Sequence, residues 1–187
     1  MTATVEIGLL PAAAAQDRDL VSDLTGLIND VYKVAEDGLW ADGAARTTVA
    51  EVTRLIEAGQ VAIGRVAGRL AGSVRIQALG AGVGELGLLA VAPGYRGTGL
   101  GRELVRFAEQ VSRERRCDTM QLELLVPRDW THPSKEFLAA WYTRIGYRRV
   151  RLGEVEESYP DLAPLLATPC DFAIYRKSLS REIPKTF

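Results

Sequence analysis

Four groups of residues in this chain have types and spacing suited to chemistry. The first is Arg96-Gly97-Thr98-Gly99-Leu100-Gly101, which follows the apolar run 88–92 and leads into a helical stripe. Consecutive backbone N–H groups at a helix start point into one concavity and carry the positive end of the helix dipole, so a phosphate suits them. Glycines let the backbone approach a ligand, and Arg96 adds a charge-assisted contact. No Gly-Lys-Ser/Thr follows, so the loop is not a P-loop, and a tight strand-to-helix turn is the plain alternative. The second group is Glu85, Gln121 and Glu123, polar residues inside otherwise apolar runs, where a carboxylate is costly without a partner. Tyr32, Glu36, Asp37 and Trp40, with Trp130 and His132 in a later loop, form the third. They suggest an aromatic, acidic pocket suited to a cation, against the plainer reading of solvated charges and core aromatics. The last is the pair Cys117 and Cys170, whose spacing makes neither a nucleophile.

Composition removes several classes of function. The chain has 187 residues, 47% hydrophobic and 25% charged, enough for a core without disulfides or a structural metal. Two cysteines and one histidine leave no zinc site of the usual kind, and no metal is expected. Twenty-three basic against 24 acidic residues argue against nucleic acid as a partner. No run reaches the ~18 apolar residues of a membrane span, and the N-terminus lacks a signal peptide's basic start and apolar stretch. A reduced, cytoplasmic, single-domain protein over 1–187 is expected.

Positioning these groups takes a definite series of elements. Val5 to Leu10 reads as a strand ended by Pro11. Leu20, Leu24, Leu27, Ile28 and Val31 give one apolar helical face over 17–35. Thr48 and Glu51 match a capping box that opens a second helix, closed by Gly59. Strands follow over 61–66 and 70–76 as a hairpin, then a glycine loop over 79–84 and a strand over 85–92. Alternation along that strand puts Glu85, Gly87, Leu89 and Val91 on one face. A helix runs from Leu100 through Leu104, Phe107, Ala108 and Val111, then come a strand over 120–126 and a helix over 134–145 closed by Gly146. Strands over 147–152 and 171–175 finish the chain. Gly82-Val83-Gly84-Glu85-Leu86-Gly87 fits G-x-G-x-x-G, but it runs into a strand where a dinucleotide fingerprint needs a helix, and reads as a hairpin loop.

Arg96, Gly99 and Gly101 stand at the defining positions of the R/Q-x-x-G-x-G/A motif of the GNAT superfamily of acyl-CoA-dependent N-acyltransferases, which this segment resembles. Trp141-Tyr142-Thr143-Arg144-Ile145-Gly146-Tyr147 is similar to the family's Y-x-x-x-G-F/Y ending of its fourth helix. Between Gly84 and Tyr147 the resemblance is specific; elsewhere it rests on element order. Lys135 stands where many members carry asparagine.

The resemblance implies a mixed α/β fold with a central, mostly antiparallel twisted sheet flanked by helices, and an acyl-CoA cleft between two splayed strands, 85–92 and 120–126. It also implies acetyl transfer from acetyl-CoA to a primary amine by direct attack, with a small-molecule acceptor favoured. The alternatives are a protein amine, or a non-catalytic CoA-binding module. By the same resemblance Leu89, Ala90, Val91, Arg96, Gly97, Thr98, Gly99, Leu100 and Gly101 hold acetyl-CoA, with the Val91 amide as oxyanion donor. Tyr142 is the implied general acid; Glu85 or Glu123, a carboxylate set in an apolar strand, is the candidate base, with a solvent-facing residue or an arginine partner as the plain alternative. Tyr32, Glu36, Trp40, Trp130 and His132 are the candidate acceptor contacts. Homodimers are common for the fold.

Overall fold

The computed structural model describes residues 4–180. Its centre is a seven-stranded sheet in the order β1-β2-β3-β4-β5-β7-β6. The strands are β1 (Val5–Leu9), β2 (Val61–Val66), β3 (Arg69–Gly80), β4 (Val83–Val91), β5 (Thr119–Pro127), β6 (Arg148–Glu154) and β7 (Cys170–Ser178). Every neighbouring pair is antiparallel except β4 and β5. The expected mostly antiparallel mixed sheet with helices on both faces is what forms.

Helix α1 (Arg18–Ala35) starts where the Asp17 carboxylate accepts the Leu20 N–H at 3.0 Å. It buries Val21, Leu24, Ile28 and Val31, which pack with Val52 and Ile56 of α2 (Val49–Glu57) and with Val61 and Ile63. Thr48 caps α2 by accepting the Glu51 N–H at 3.1 Å, while the Glu51 carboxylate accepts the Thr47 hydroxyl at 2.8 Å. The opposite face of the sheet is covered by α3 (Leu100–Glu114) and α4 (Pro133–Arg144). There Leu100, Leu104, Val105, Ala108 and Tyr142 share a cluster with Val74, Ile76 and Leu122. Full burial of a side chain such as Leu104 is worth roughly 1.5–3 kcal/mol. No helix among the described residues is long and apolar enough to cross a membrane.

Two expectations about β3 and β4 need correction. The glycine loop over 79–84 shrinks to a two-residue turn at Ala81 and Gly82, both at positive φ (48° and 75°), which suits the twist of a tight hairpin. Gly84 and Gly87 are therefore strand glycines, and their role is close packing. A Cβ on Gly84 would lie 2.7 Å from Ser112 Oγ of α3, and one on Gly87 would lie 2.8 Å from Arg75 Nη2.

The alternation along β4 is also interrupted. Arg75 pairs with Gly87 but Ser73 with Ala90, so β4 carries one extra residue there. Leu88 absorbs the bulge at φ 47°, a conformation an L-residue adopts only at a cost. Beyond it the faces exchange: Leu88 and Ala90 pack with the α1–α2 cluster, whereas Leu89 and Val91 pack with the α3 cluster. Glu85 and Gly87 do not share a face with Leu89 and Val91.

Candidate active site

β4 and β5 run side by side for three residue pairs, Val83 with Thr119, Gly84 with Met120 and Glu85 with Gln121. After that they part, β5 staying paired with β7 along its whole length and β4 with β3. A cavity of about 960 Å³ fills the opening. Its walls include Leu89, Val91 and Leu124, the loop and first turn of α3, Tyr142 of α4, and Tyr32 and Glu36 at the end of α1.

The α3 end of this cavity is built to hold an anion. Gly97 and Gly99 adopt φ of 76° and 92°, so the chain turns sharply into the helix without side chains over the mouth. The first helical hydrogen bond to a backbone carbonyl is Glu103 N–H to Gly99. Ahead of it, the N–H groups of Gly97, Gly99, Leu100, Gly101 and Arg102 have no hydrogen-bond acceptor among the described residues. Thr98 turns away, its hydroxyl donating to the Tyr95 carbonyl at 2.7 Å, and Ala90 lies on the other face of the bulge. Neither lines the cavity; Leu89, Val91, Arg96, Gly97, Gly99, Leu100 and Gly101 do.

Pairing also fixes where the Val91 amide points. Ala92 N–H donates to the Ala71 carbonyl at 2.8 Å, so Val91 and its partner Gly72 form a non-hydrogen-bonded pair. The N–H of Val91 is directed away from β3, into the opening. The Tyr142 side chain is buried against Trp141 and Tyr147, with ring centres 4.9 and 5.9 Å away. Its hydroxyl has no hydrogen-bond partner among the described residues, and burial pushes the phenol far above its ordinary pKa.

The two carboxylates differ sharply. Glu85 is buried and receives Arg75 Nη2 at 2.7 Å, Gln77 Nε2 at 2.8 Å and Gln121 Nε2 at 3.2 Å. Glu123 accepts a single hydrogen bond, from the Tyr159 hydroxyl at 2.7 Å, and burial raises its pKa, with Glu85 nearby adding to the rise. Of the two, Glu123 has the fewer donors among the described residues.

The acceptor contacts expected from sequence divide. Tyr32, Glu36 and Trp40 line the cavity; Trp130 and His132 do not. His132 caps α4, its Nδ1 accepting the Ser134 N–H at 3.2 Å while Nε2 donates to the Asp37 carbonyl at 3.0 Å. With both ring nitrogens engaged it has none left for a substrate. Trp130 packs on that ring and donates to Thr168 Oγ1 at 3.3 Å. A pocket for an external cation also needs correction, because Tyr32 and Trp40 already hold a cation of the protein. The Arg46 guanidinium lies 5.1 Å from the Tyr32 ring centre and 5.9 Å from that of Trp40.

Glu36 is likewise occupied. It accepts the Trp40 indole N–H and pairs with Lys135 Nζ at 2.6 Å, both side chains almost fully buried. Lys135 thus ties the start of α4 to the end of α1. Glu36→Ala leaves the lysine charge buried and alone, and should cost about 3–5 kcal/mol in urea unfolding, with Glu36→Leu combined with Lys135→Met recovering most of it. A loss under about 1 kcal/mol would mean the pair behaves like a solvated one.

Sequence reasoning missed Arg46, Arg75 and Tyr159. Arg75 had a signal: a cation in an apolar strand whose hairpin partner carries Glu85. Arg46 and Tyr159 lie in irregular segments, where no periodicity announces a facing direction. Neither cysteine lines the cavity, and burial pushes the Cys170 thiol up to about 11. Among the described residues no group of three or more His, Cys, Asp or Glu could hold a metal ion.

Known structures share this architecture. PaiA N-acetyltransferase from Thermoplasma acidophilum, in complex with coenzyme A, superposes with a TM-score of 0.68 at 16% identity, over 94% of this chain and 99% of that one. A ribosomal-protein-alanine N-acetyltransferase from Brucella melitensis gives 0.64 at 15% identity, over 92% and 99%. N-acetylglutamate synthase from Neisseria gonorrhoeae, with coenzyme A and N-acetyl-glutamate, gives 0.63 at 17%, over 97% of this chain but 36% of that one. A search of curated proteins finds no match. Those identities speak for the fold alone, but the sequence itself goes further: residues 28–147 match the acetyltransferase (GNAT) family, from inside α1 to the glycine and tyrosine that close α4. This chain belongs to the GNAT acetyltransferase family, the acyl-CoA-dependent N-acetyltransferases.

Proposed function

We propose that residues 1–187 act as one N-acetyltransferase domain that moves the acetyl group of acetyl-CoA directly to a primary amine of a small molecule. The observation that carries this reading is the parting of β4 and β5, which leaves the Val91 amide and five free N–H groups at the start of α3 along one cavity. The loop residues Arg96, Gly97, Gly99, Leu100 and Gly101 hold the pyrophosphate, and Leu89 and Val91 border the pantetheine arm. Bound acetyl-CoA supplies an acyl group activated as a thioester.

Glu123 takes the proton that the amine must lose, the nitrogen–carbon bond forms, the carbon–sulfur bond breaks, and the Tyr142 hydroxyl supplies a proton to the departing sulfur. Glu123 then loses a proton to solvent and Tyr142 regains one, so the chain ends unchanged. The Val91 N–H donates to the oxygen on which charge builds. Glu85 positions strands and takes no proton. A cavity walled by side chains, with no cysteine along it, favours a small acceptor and a transfer without an acyl-enzyme.

The test is CoA release from acetyl-CoA across an amine panel, run beside Gly99→Val. A β-branched residue at φ 92° strains the loop, so CoA binding by calorimetry should weaken about 10- to 100-fold with circular dichroism unchanged. Unaltered affinity would place the pyrophosphate elsewhere. Activity on peptides alone, with none on small amines, would move the acceptor to a protein.

A further inference from the structure

Beside Tyr32 and Trp40 in the cavity wall, Arg46 has no counter-ion among the described residues. Arg46 precedes Thr47, whose N–H and carbonyl are both held by the Asn29 side chain at 3.0 Å, which fixes this loop along α1. Its guanidinium lies over two aromatic rings, and its Nε is buried with no hydrogen-bond partner. No carboxylate among the described residues forms an ion pair with it. A second guanidinium, Arg75, uses Nη2 on Glu85 and leaves Nε buried and unpartnered. Both arginines line the cavity, and both are near enough to the Tyr32 phenol to oppose the rise that burial gives its pKa.

The carboxylates in the same walls already have donors. Glu36 holds Lys135 and Glu85 holds Arg75, while Glu51 and Glu123 accept hydroxyls from Thr47 and Tyr159. Arg46, by contrast, has no hydrogen-bond or ion-pair partner for its guanidinium among the described residues. A planar guanidinium held against aromatic rings keeps its donor fork in place, so little side-chain freedom is lost when an anion arrives. Buried N–H groups without acceptors are costly, and a ligand oxygen that meets them recovers that cost.

We propose that the acceptor amine carries a carboxylate, bound by Arg46 with Arg75 beside it. The inference rests on the N-acetyltransferase reading and narrows its substrate to amino acids and similar amine–carboxylate compounds. Arg46, Arg75 and Glu123 line one cavity, so the same molecule presents its carboxylate to the arginines and its amine to the Glu123 carboxylate.

The experiment compares CoA release with the standard L-amino acids, β-alanine and 4-aminobutanoate against the carboxamide of each. The preferred acid should exceed its own carboxamide about 10- to 100-fold in kcat/KM, the range of a charge-assisted hydrogen bond. Arg46→Gln should bring that ratio near one, chiefly through KM, and Arg46→Lys should keep part of it. Carboxamides matching or outrunning acids in every pair, or a ratio that survives Arg46→Gln, overturns the proposal. CoA release with no amine at all overturns the transferase reading instead. The carboxylate site is then judged by calorimetry of the same amino acids into CoA-loaded protein: saturable binding lost in Arg46→Gln upholds it, and no binding by any of them ends it.

Discussion

Replacing Tyr142 with phenylalanine should lower the single-turnover rate ~100- to 10,000-fold, the usual worth of a positioned acid. The ring stays, so the contacts with Trp141 and Tyr147 persist, and both the melting temperature and CoA affinity should barely move. Burial raises the pKa of the phenol, so across the neutral range it is protonated and has a proton to donate. The hydroxyl therefore acts as charge gathers on sulfur, and the proton follows. Steady-state kcat understates the loss when product release is slow, which is why rapid quench is the measurement. Full single-turnover activity in Tyr142→Phe would reduce the phenol to packing.

Glu123→Gln should cost ~100-fold or more in kcat/KM near neutral pH, again the range for a lost proton acceptor. The sign of its pH dependence is fixed by protonation. A base works in its deprotonated form, and burial raises the Glu123 pKa above the model-peptide carboxylate. Parent activity should thus fall as pH drops through a value above that of an ordinary glutamate. In the Gln variant that limb disappears, leaving the rise set by the amine's own deprotonation at higher pH. A variant that keeps the lower limb would assign the proton to another group.

Much of this site could be read from residue types. The 96–101 loop announces itself by glycines between an apolar strand and an amphipathic helix, and Tyr142 by its distance from Gly146. The helix and strand periods are local properties, so α1 to α4 and most strands follow from them. The Leu88 bulge does not, because a leucine at positive φ leaves no mark in sequence; it is imposed by the packing of β4 between two helical layers. Glu36 with Lys135, and Arg46 over Tyr32 and Trp40, join segments set apart by irregular chain. Their partners are chosen by tertiary approach, so residue type alone suggested an acidic pocket where the fold has already neutralised the acid. The segment between β6 and β7 contributes Tyr159 to the cavity wall for the same reason.

The short seam between β4 and β5 has a mechanical meaning. Strands β1 to β4 lie on one side of it and β5 to β7 on the other, α3 packs across both, and the cavity opens where the pairing stops, past Glu85 and Gln121. From Glu85 to Val91 the strand reaches ~20 Å at ~3.3 Å per residue, so a 5° change in its direction shifts its tip by about 1.7 Å. Misplacement of about 1 Å is enough to cost two orders of magnitude in rate. The chain from Arg75 through Glu85 and Gln121 to Arg176, linked at 2.7, 3.2 and 2.9 Å, crosses this seam and ties its two sides together. The buried Glu85 carboxylate stands at the centre of that chain and fastens β3, β4 and β5 together at the point where the cavity opens.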